Sequence, residues 1–214
     1  MQTGSIIRNL LFVLLLFLSS LGYAQLSKKH YIPPLTSGPN NANPEDQYIY
    51  RSTPTASLVP YTISAVGGGT ITGSVSNTTP QVENIGFGYD TQLFQDFDDS
   101  SVVTNNKGYI IEAEAPIYVS VRMNAGGAQA GALVSKGLSA LDTTFRIGTF
   151  TSSNPTGNYL SFLSVMATED NTSVTFDDIP AGLTIENYPT GTFPYSRILN
   201  EGESYIICIK GDRN

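Results

Sequence analysis

From Gln47 to Ile209 the chain repeats one pattern: a short run of apolar or β-branched residues, then a turn built from Gly, Pro, Asn or Asp. Tyr48–Ser52, Tyr61–Ala65, Thr70–Ser76 and Val82–Phe87 are separated by Thr53-Pro54, Gly67-Gly68-Gly69 and Asn77–Pro80. Ile117, Val119, Val121 and Met123 alternate with Tyr118, Ser120 and Arg122, the period of two of a strand buried on one face. No stretch beyond the N-terminus has helical periodicity. Gly126, Gly127, Gly131 and Gly137 each penalise the Ala/Leu-rich segment 126–141 by roughly 1 kcal/mol as a helix, so a strand near Ala132–Ser135 and a turn after Lys136-Gly137 are expected there. Phe145–Phe150, Tyr159–Ala167, Ser173–Phe176, Leu183–Ile185, Arg197–Leu199 and Ser204–Ile209 continue the series. Short strands at this spacing predict an all-β fold, an antiparallel β-sandwich.

The first 24 residues are of another kind. Arg8 precedes the hydrocarbon run Leu10–Leu18, and small residues stand at Gly22 and Ala24. That order is the signature of a signal peptide cleaved near Ala24. The run is too short for a membrane span, which needs about 20 apolar residues. The expected destination is extracellular or at the cell surface, with no membrane span in the mature chain. Gln25–Asp46, with Pro33-Pro34, Gly38-Pro39 and Pro44, reads as a Pro/Asn-rich linker that also carries Lys28, Lys29 and His30.

The strands divide into a first unit, 47–156, and a second, 157–214. Asn105–Ile111 echoes Asn200–Ile207, and Pro60–Ile63 echoes Ser173–Phe176, as two related units would. Ala115-Pro116 reads as the turn of a hairpin joining Tyr109–Glu114 to Ile117–Asn124. The second unit has no counterpart to Ile117–Met123, so it reads as incomplete, with Ser204–Ile209 left as an open sheet edge.

Charge and reactive side chains bound the function. With 11 basic and 18 acidic residues, the net charge is −7, which disfavours nucleic acid as a partner. One Cys and one His do not supply a zinc site, and Cys208, inside Tyr205–Ile209, reads as a small buried hydrophobe. His30 is the sole candidate for a His-dependent nucleophile, and a Pro-rich leader is a poor platform for it. No catalytic or cofactor-binding residue is therefore assigned. Asp96, Asp98 and Asp99 offer oxygens for calcium but lack the spacing of a dedicated calcium loop, which leaves a metal site open. Asn77 and Asn171 begin N-x-S/T tripeptides. Tyr48, Tyr50, Tyr61, Phe87, Tyr89, Phe94 and Phe97 are the aromatics from which a binding surface could be drawn, most of them expected in the core.

Val165-Met166-Ala167-Thr168-Glu169-Asp170-Asn171-Thr172-Ser173-Val174-Thr175-Phe176 resembles the strand–turn–strand signature of the IgGFc-binding-protein N-terminal family. Leu141–Arg146 and Leu199–Ile207 resemble further stretches of it, with Asp142 where the family usually has Gly. The opening Gln25–Leu35 is similar to that of large flavobacterial surface proteins exported by type IX secretion. The resemblance implies an adhesin-like, non-catalytic N-terminal region of a larger product. Its partner would be an extracellular protein or glycan, bound without a cofactor. The alternative is an extracellular carbohydrate-active enzyme or its accessory carbohydrate-binding module, for which two carboxylates would face each other across a cleft.

Overall fold

The computed structural model describes residues 25–38, 43–126, 129–148, 160–179, 184–188 and 194–210. The signal-peptide reading falls on residues 1–24, outside them. In chain order the strands are β1 (Ser27–Ile32), β2 (Pro44–Ser52), β3 (Val59–Ala65), β4 (Thr70–Val75), β5 (Gln81–Phe87), β6 (Val103–Thr104), β7 (Tyr109–Ala125), β8 (Gln129–Ser135), β9 (Leu160–Met166), β10 (Thr172–Phe176), β11 (Thr184–Ile185), β12 (Tyr195–Leu199) and β13 (Ser204–Lys210). Every ladder between them is antiparallel.

The fold is an all-β sandwich organised around β7. The expected hairpin at Ala115-Pro116 does not form: β7 runs unbroken through both residues. Its first half, Tyr109–Ala113, pairs with β3 on one side, while β1 takes the other. Its second half, Tyr118–Ala125, pairs with β2, and β8 takes the other side. One strand thus belongs to two four-stranded sheets, β4-β3-β7-β1 and β5-β2-β7-β8. A strand that changes sheets at a corner is a known solution for sandwiches. Proline lacks a backbone donor, and Pro116 stands where β7 passes from one set of partners to the other, so the missing N–H interrupts no ladder. Its carbonyl accepts from Thr53 Oγ1 at 3.0 Å.

The inner faces of both sheets build the first core. Ile63, Ile111 and Ile32 come from one sheet, and Ile49, Val119 and Val121 from the other, all buried. Each such side chain contributes roughly 1.5–3 kcal/mol when removed from water. The same face buries a charge. Arg51 on β2 is fully enclosed and stacks on the Tyr61 ring, 4.6 Å from its centroid. Its nearest carboxylate, Glu83, is 4.0 Å away, and its nitrogens find no hydrogen-bond partner among the described residues. Burial lowers its pKa, with the Tyr61 and Glu83 charges acting the other way. Tyr61 in turn lies over Gly73 of β4, where a Cβ would collide with the phenol.

The linker reading of Gln25–Asp46 is overturned where the residues are described. Ser27–Ile32 is a strand, Leu35 bonds to Leu93 and Gln95, and β2 already begins at Pro44. His30 and Ile32 alternate with Lys29 and Tyr31, so β1 buries one face despite the prolines that follow it. His30 is fully enclosed. Its Nε2 lies 3.0 Å from the Ile117 carbonyl and 3.2 Å from that of Ser27. Carbonyls only accept, so Nε2 carries the proton, and Nδ1 accepts from Ser135 Oγ at 2.9 Å. The one histidine therefore ties β1, β7 and β8 together.

A second core gathers Phe176, Tyr195, Leu199, Tyr205 and Ile207 with Ala167 and Ile185. The open edge expected at Ser204–Ile209 is not there. β13 pairs along its whole length with β9, and β6 and β11 hold the other side. Between them, Ser101 N donates to Ile206 O and Glu186 N to Cys208 O. A sequence-distant loop, 100–104, supplies the cover that no local hairpin could, so β13 is central and buried. Cys208 is enclosed within it, and burial pushes its thiol pKa up to about 11. The strand expected at Phe145–Phe150 is absent over 145–148, where the backbone is irregular and exposed; residues 149–150 lie outside the described set. Among the described residues no helix is long and apolar enough to cross a membrane.

Candidate binding face

The sandwich has two outer faces of different chemistry. On the sheet β4-β3-β7-β1, Thr72, Thr62, Glu112 and Lys29 lie in one cross-strand row, and Thr70, Ser64, Ile110 and Tyr31 in the next. The second core's turn sits against this face. Lys29 Nζ contacts Glu201 at 3.0 Å and Glu112 at 3.3 Å, and Tyr31 donates to Glu201 at 2.9 Å. The Tyr31 bond, then those to Glu201 and Glu112, hold Lys29 firmly protonated against its partial burial. Lys29, then Tyr31, lowers the Glu201 pKa. An open depression of about 580 Å³ lies beside the row, lined by Pro60, Thr62, Thr72, Ser74, Glu112 and Glu114.

On the sheet β5-β2-β7-β8 the alternation sends Tyr48 and Tyr50 of β2 outward while Gln47, Ile49 and Arg51 face the core. Cross-strand registry places Val82, Tyr50, Ser120 and Val134 in one row. Asn84, Tyr48, Arg122 and Ala132 form the next, and Tyr118 lies opposite Ser52 beyond them. The Tyr48 and Tyr50 rings are neighbours, 6.0 Å between centroids. Both are half-buried, Val82 is 52% exposed and Arg122 is exposed. Asn84 Nδ2 is fixed by Asp46 at 2.9 Å. The result is a surface of tyrosine and valine with hydrogen-bonding groups beside it. Rigid amphipathic rings of this kind give contact area at low entropic cost.

The other residues singled out from sequence are dispersed. Tyr61 and Phe94 are core, whereas Phe87 is 69% exposed and Tyr89 packs edge-on to Phe94. Asp96 caps a short 3-10 turn by accepting from Asp98 N at 3.1 Å. The carbonyls of Phe97 and Asp98 accept from Asn187 Nδ2 at 3.2 and 2.9 Å. Among the described residues no group of three His, Cys, Asp or Glu side chains is placed to hold a metal. Asn77 and Asn171 are both exposed, in turns. Tyr118 and Arg122 were on the polar side of the alternating pattern in 117–124. Their assembly with Tyr48 and Tyr50 depends on the β2–β7 register, which no local pattern encodes.

No family model matches the chain, and no curated protein or solved structure matches it.

Proposed function

We propose that this chain is the exported, non-catalytic N-terminal region of an adhesin-like surface protein, and that its extracellular ligand seats on the Tyr48–Tyr50–Tyr118 face. The observation that carries the reading is that face: adjacent tyrosines on a rigid sheet, with Val82, Asn84 and Arg122 beside them. The leader at 1–24 supports export, and the resemblance at residues 165–176 supports the adhesin-like class. Binding would combine ring contacts with hydrogen bonds from the tyrosine hydroxyls, Asn84 and Arg122. No cofactor takes part.

The test is retention of the full chain on immobilised immunoglobulin G, insoluble chitin and insoluble cellulose. Retention on one of these is expected, weakened at least about tenfold by Tyr48→Ala with Tyr50→Ala. Release of soluble sugar from either polysaccharide would favour the enzyme reading instead. Failure to bind any of the three, or equal binding by the tyrosine variant, would remove the support for this face.

A further inference from the structure

We infer that β8 is a self-association edge, at which two copies of this chain pair antiparallel and join their β5-β2-β7-β8 sheets into one continuous sheet. The inference is separate from the ligand reading: it concerns backbone pairing along the β8 edge, and it is read from oligomeric mass and not from ligand retention.

β8 reads Gln-Ala-Gly-Ala-Leu-Val-Ser over 7 residues and pairs only with β7 among the described residues. Alternate residues of an edge strand aim backbone N–H and C=O groups away from the sheet, a template for a further strand. Sandwich proteins guard such edges with charge, proline or bulges. β8 has none: it carries no ionisable residue and no proline, and its register with β7 is unshifted. The other edges differ. β1 carries Lys28 and Lys29, and β5 carries Glu83 and an irregular register at its Gln47–Tyr48 partners. β4 is also uncharged, but its C-terminal residue Val75 is buried and Gly73 and Ser74 are half-covered.

On β8 both faces are open: Leu133, which faces the core side opposite Val121, is 38% exposed, and Val134 on the tyrosine side is 40% exposed. Leu138 and Leu141, at the exit of β8, are exposed as well. A soluble monomer has little reason to leave apolar side chains open on both sides of an unprotected edge.

The occupant follows from β8's own sequence. A two-fold axis through Ala132 sets Ala132 against its copy, Gly131 against Leu133, and Ala130 against Val134. Small residues thus meet large ones on both faces, the complementarity that cross-strand pairing rewards. No charge opposes another along the strand, so the net charge of −7 on each copy acts only from a distance and is screened by salt. The exposed apolar side chains at β8 and its exit are few: Leu133, Val134, Leu138 and Leu141. With the strand backbone added, the contact is below the roughly 800 Å² per partner of a standard interface. A micromolar, concentration-dependent dimer is therefore expected rather than an obligate one.

The experiment is sedimentation of the full chain up to about 200 µM, with three variants. The parent is expected to dimerise. Ala132→Lys, which brings two ammonium groups together at the axis, is expected to weaken association more than tenfold while leaving the circular-dichroism spectrum unchanged. Ala132→Cys is expected to form an interchain disulfide under mild oxidation, since Cys208 is enclosed and does not compete. Thr72→Cys on the β4 edge is expected to remain unlinked. A parent that stays monomeric throughout the range overturns the inference, as does a dimer indifferent to Ala132→Lys or one cross-linked through Thr72→Cys.

Discussion

The two outer faces of the sandwich share a core and a central strand, yet they differ in chemistry. The face of β4-β3-β7-β1 carries Thr62, Thr72, Glu112 and Lys29, and it is partly engaged by Glu201 from the second core. The face of β5-β2-β7-β8 carries Tyr48, Tyr50, Tyr118 and Val82. Polar rows satisfied by a few ion pairs can meet another part of the same chain at small desolvation cost, because half-exposed pairs keep much of their water. Tyrosine rows gain most when water leaves them, which makes them suited to an external ligand. On the proposed reading, the tyrosine sheet is left for a ligand while the opposite sheet meets the turn of the second core.

The largest effect is expected from disturbing the first sheet, on the side of the core opposite the tyrosine face. Gly73→Val places a side chain where the Tyr61 ring lies, and should cost about 1–3 kcal/mol in chemical denaturation. Below its melting transition this variant should bind as the parent does; a matching loss of binding would mean that the faces are not separable. The next effect belongs to the tyrosine face. Tyr48→Ala with Tyr50→Ala should weaken ligand retention at least about tenfold, yet shift the denaturation midpoint by no more than a ~1–2 kcal/mol loss.

Arg51 tests what the shared core tolerates. Replacing a buried, poorly paired ion by an apolar side chain of similar volume is often neutral or stabilising. Arg51→Met should therefore hold or raise the melting temperature, and a loss beyond about 2 kcal/mol would show that the Tyr61 stack and Glu83 contact outweigh the burial of the charge.

His30 gives a smaller, pH-dependent effect. Burial, opposed by the Ile117 and Ser27 carbonyl bonds, lowers its pKa below the usual 6.5. The unfolded chain then binds the proton more readily than the folded one. The stabilisation is complete above pH 6.5 and is lost as the pH falls through the window between 6.5 and the lower folded value. Denaturation between about pH 7.5 and about pH 5.5, one unit either side of that constant, should show this slope in the parent and lose it in His30→Gln. An equal slope in both would assign it to the carboxylates. The smallest effect is expected on the polar face, where Thr62→Ala with Thr72→Ala should alter stability by about 0.5 kcal/mol or less and leave binding unchanged.

Much of this architecture could be read in advance, and the failures share a cause. Alternation in Ile117–Met123 and the Gly67-Gly68-Gly69 turn between β3 and β4 correctly marked the strands and their buried sides. Pro116 was misread because proline ends strands only where a ladder needs its N–H, and at the corner of β7 none does. Ser27–Ile32 was missed because Lys28, Lys29 and the following prolines mask an inward pair, His30 and Ile32. β13 was expected at an edge because its cover, β6 and Ser101, comes from a loop about a hundred residues earlier, and no local pattern announces such a contact. Phe145 and Ile147 alternate as a strand would, but a strand also needs a partner, and neither residue is covered.

The amino-acid sequence by itself determined the class of fold, the absence of helical periodicity and which face of most strands turns inward. Those properties follow from backbone sterics and the burial of side chains near one another in the chain. Tertiary structure alone decided that one strand serves two sheets, that His30 becomes a tie between three strands, and that Tyr48, Tyr50 and Tyr118 share a surface. Each of those depends on register between segments far apart in sequence, where the free energy resides in long-range pairing and has no local imprint.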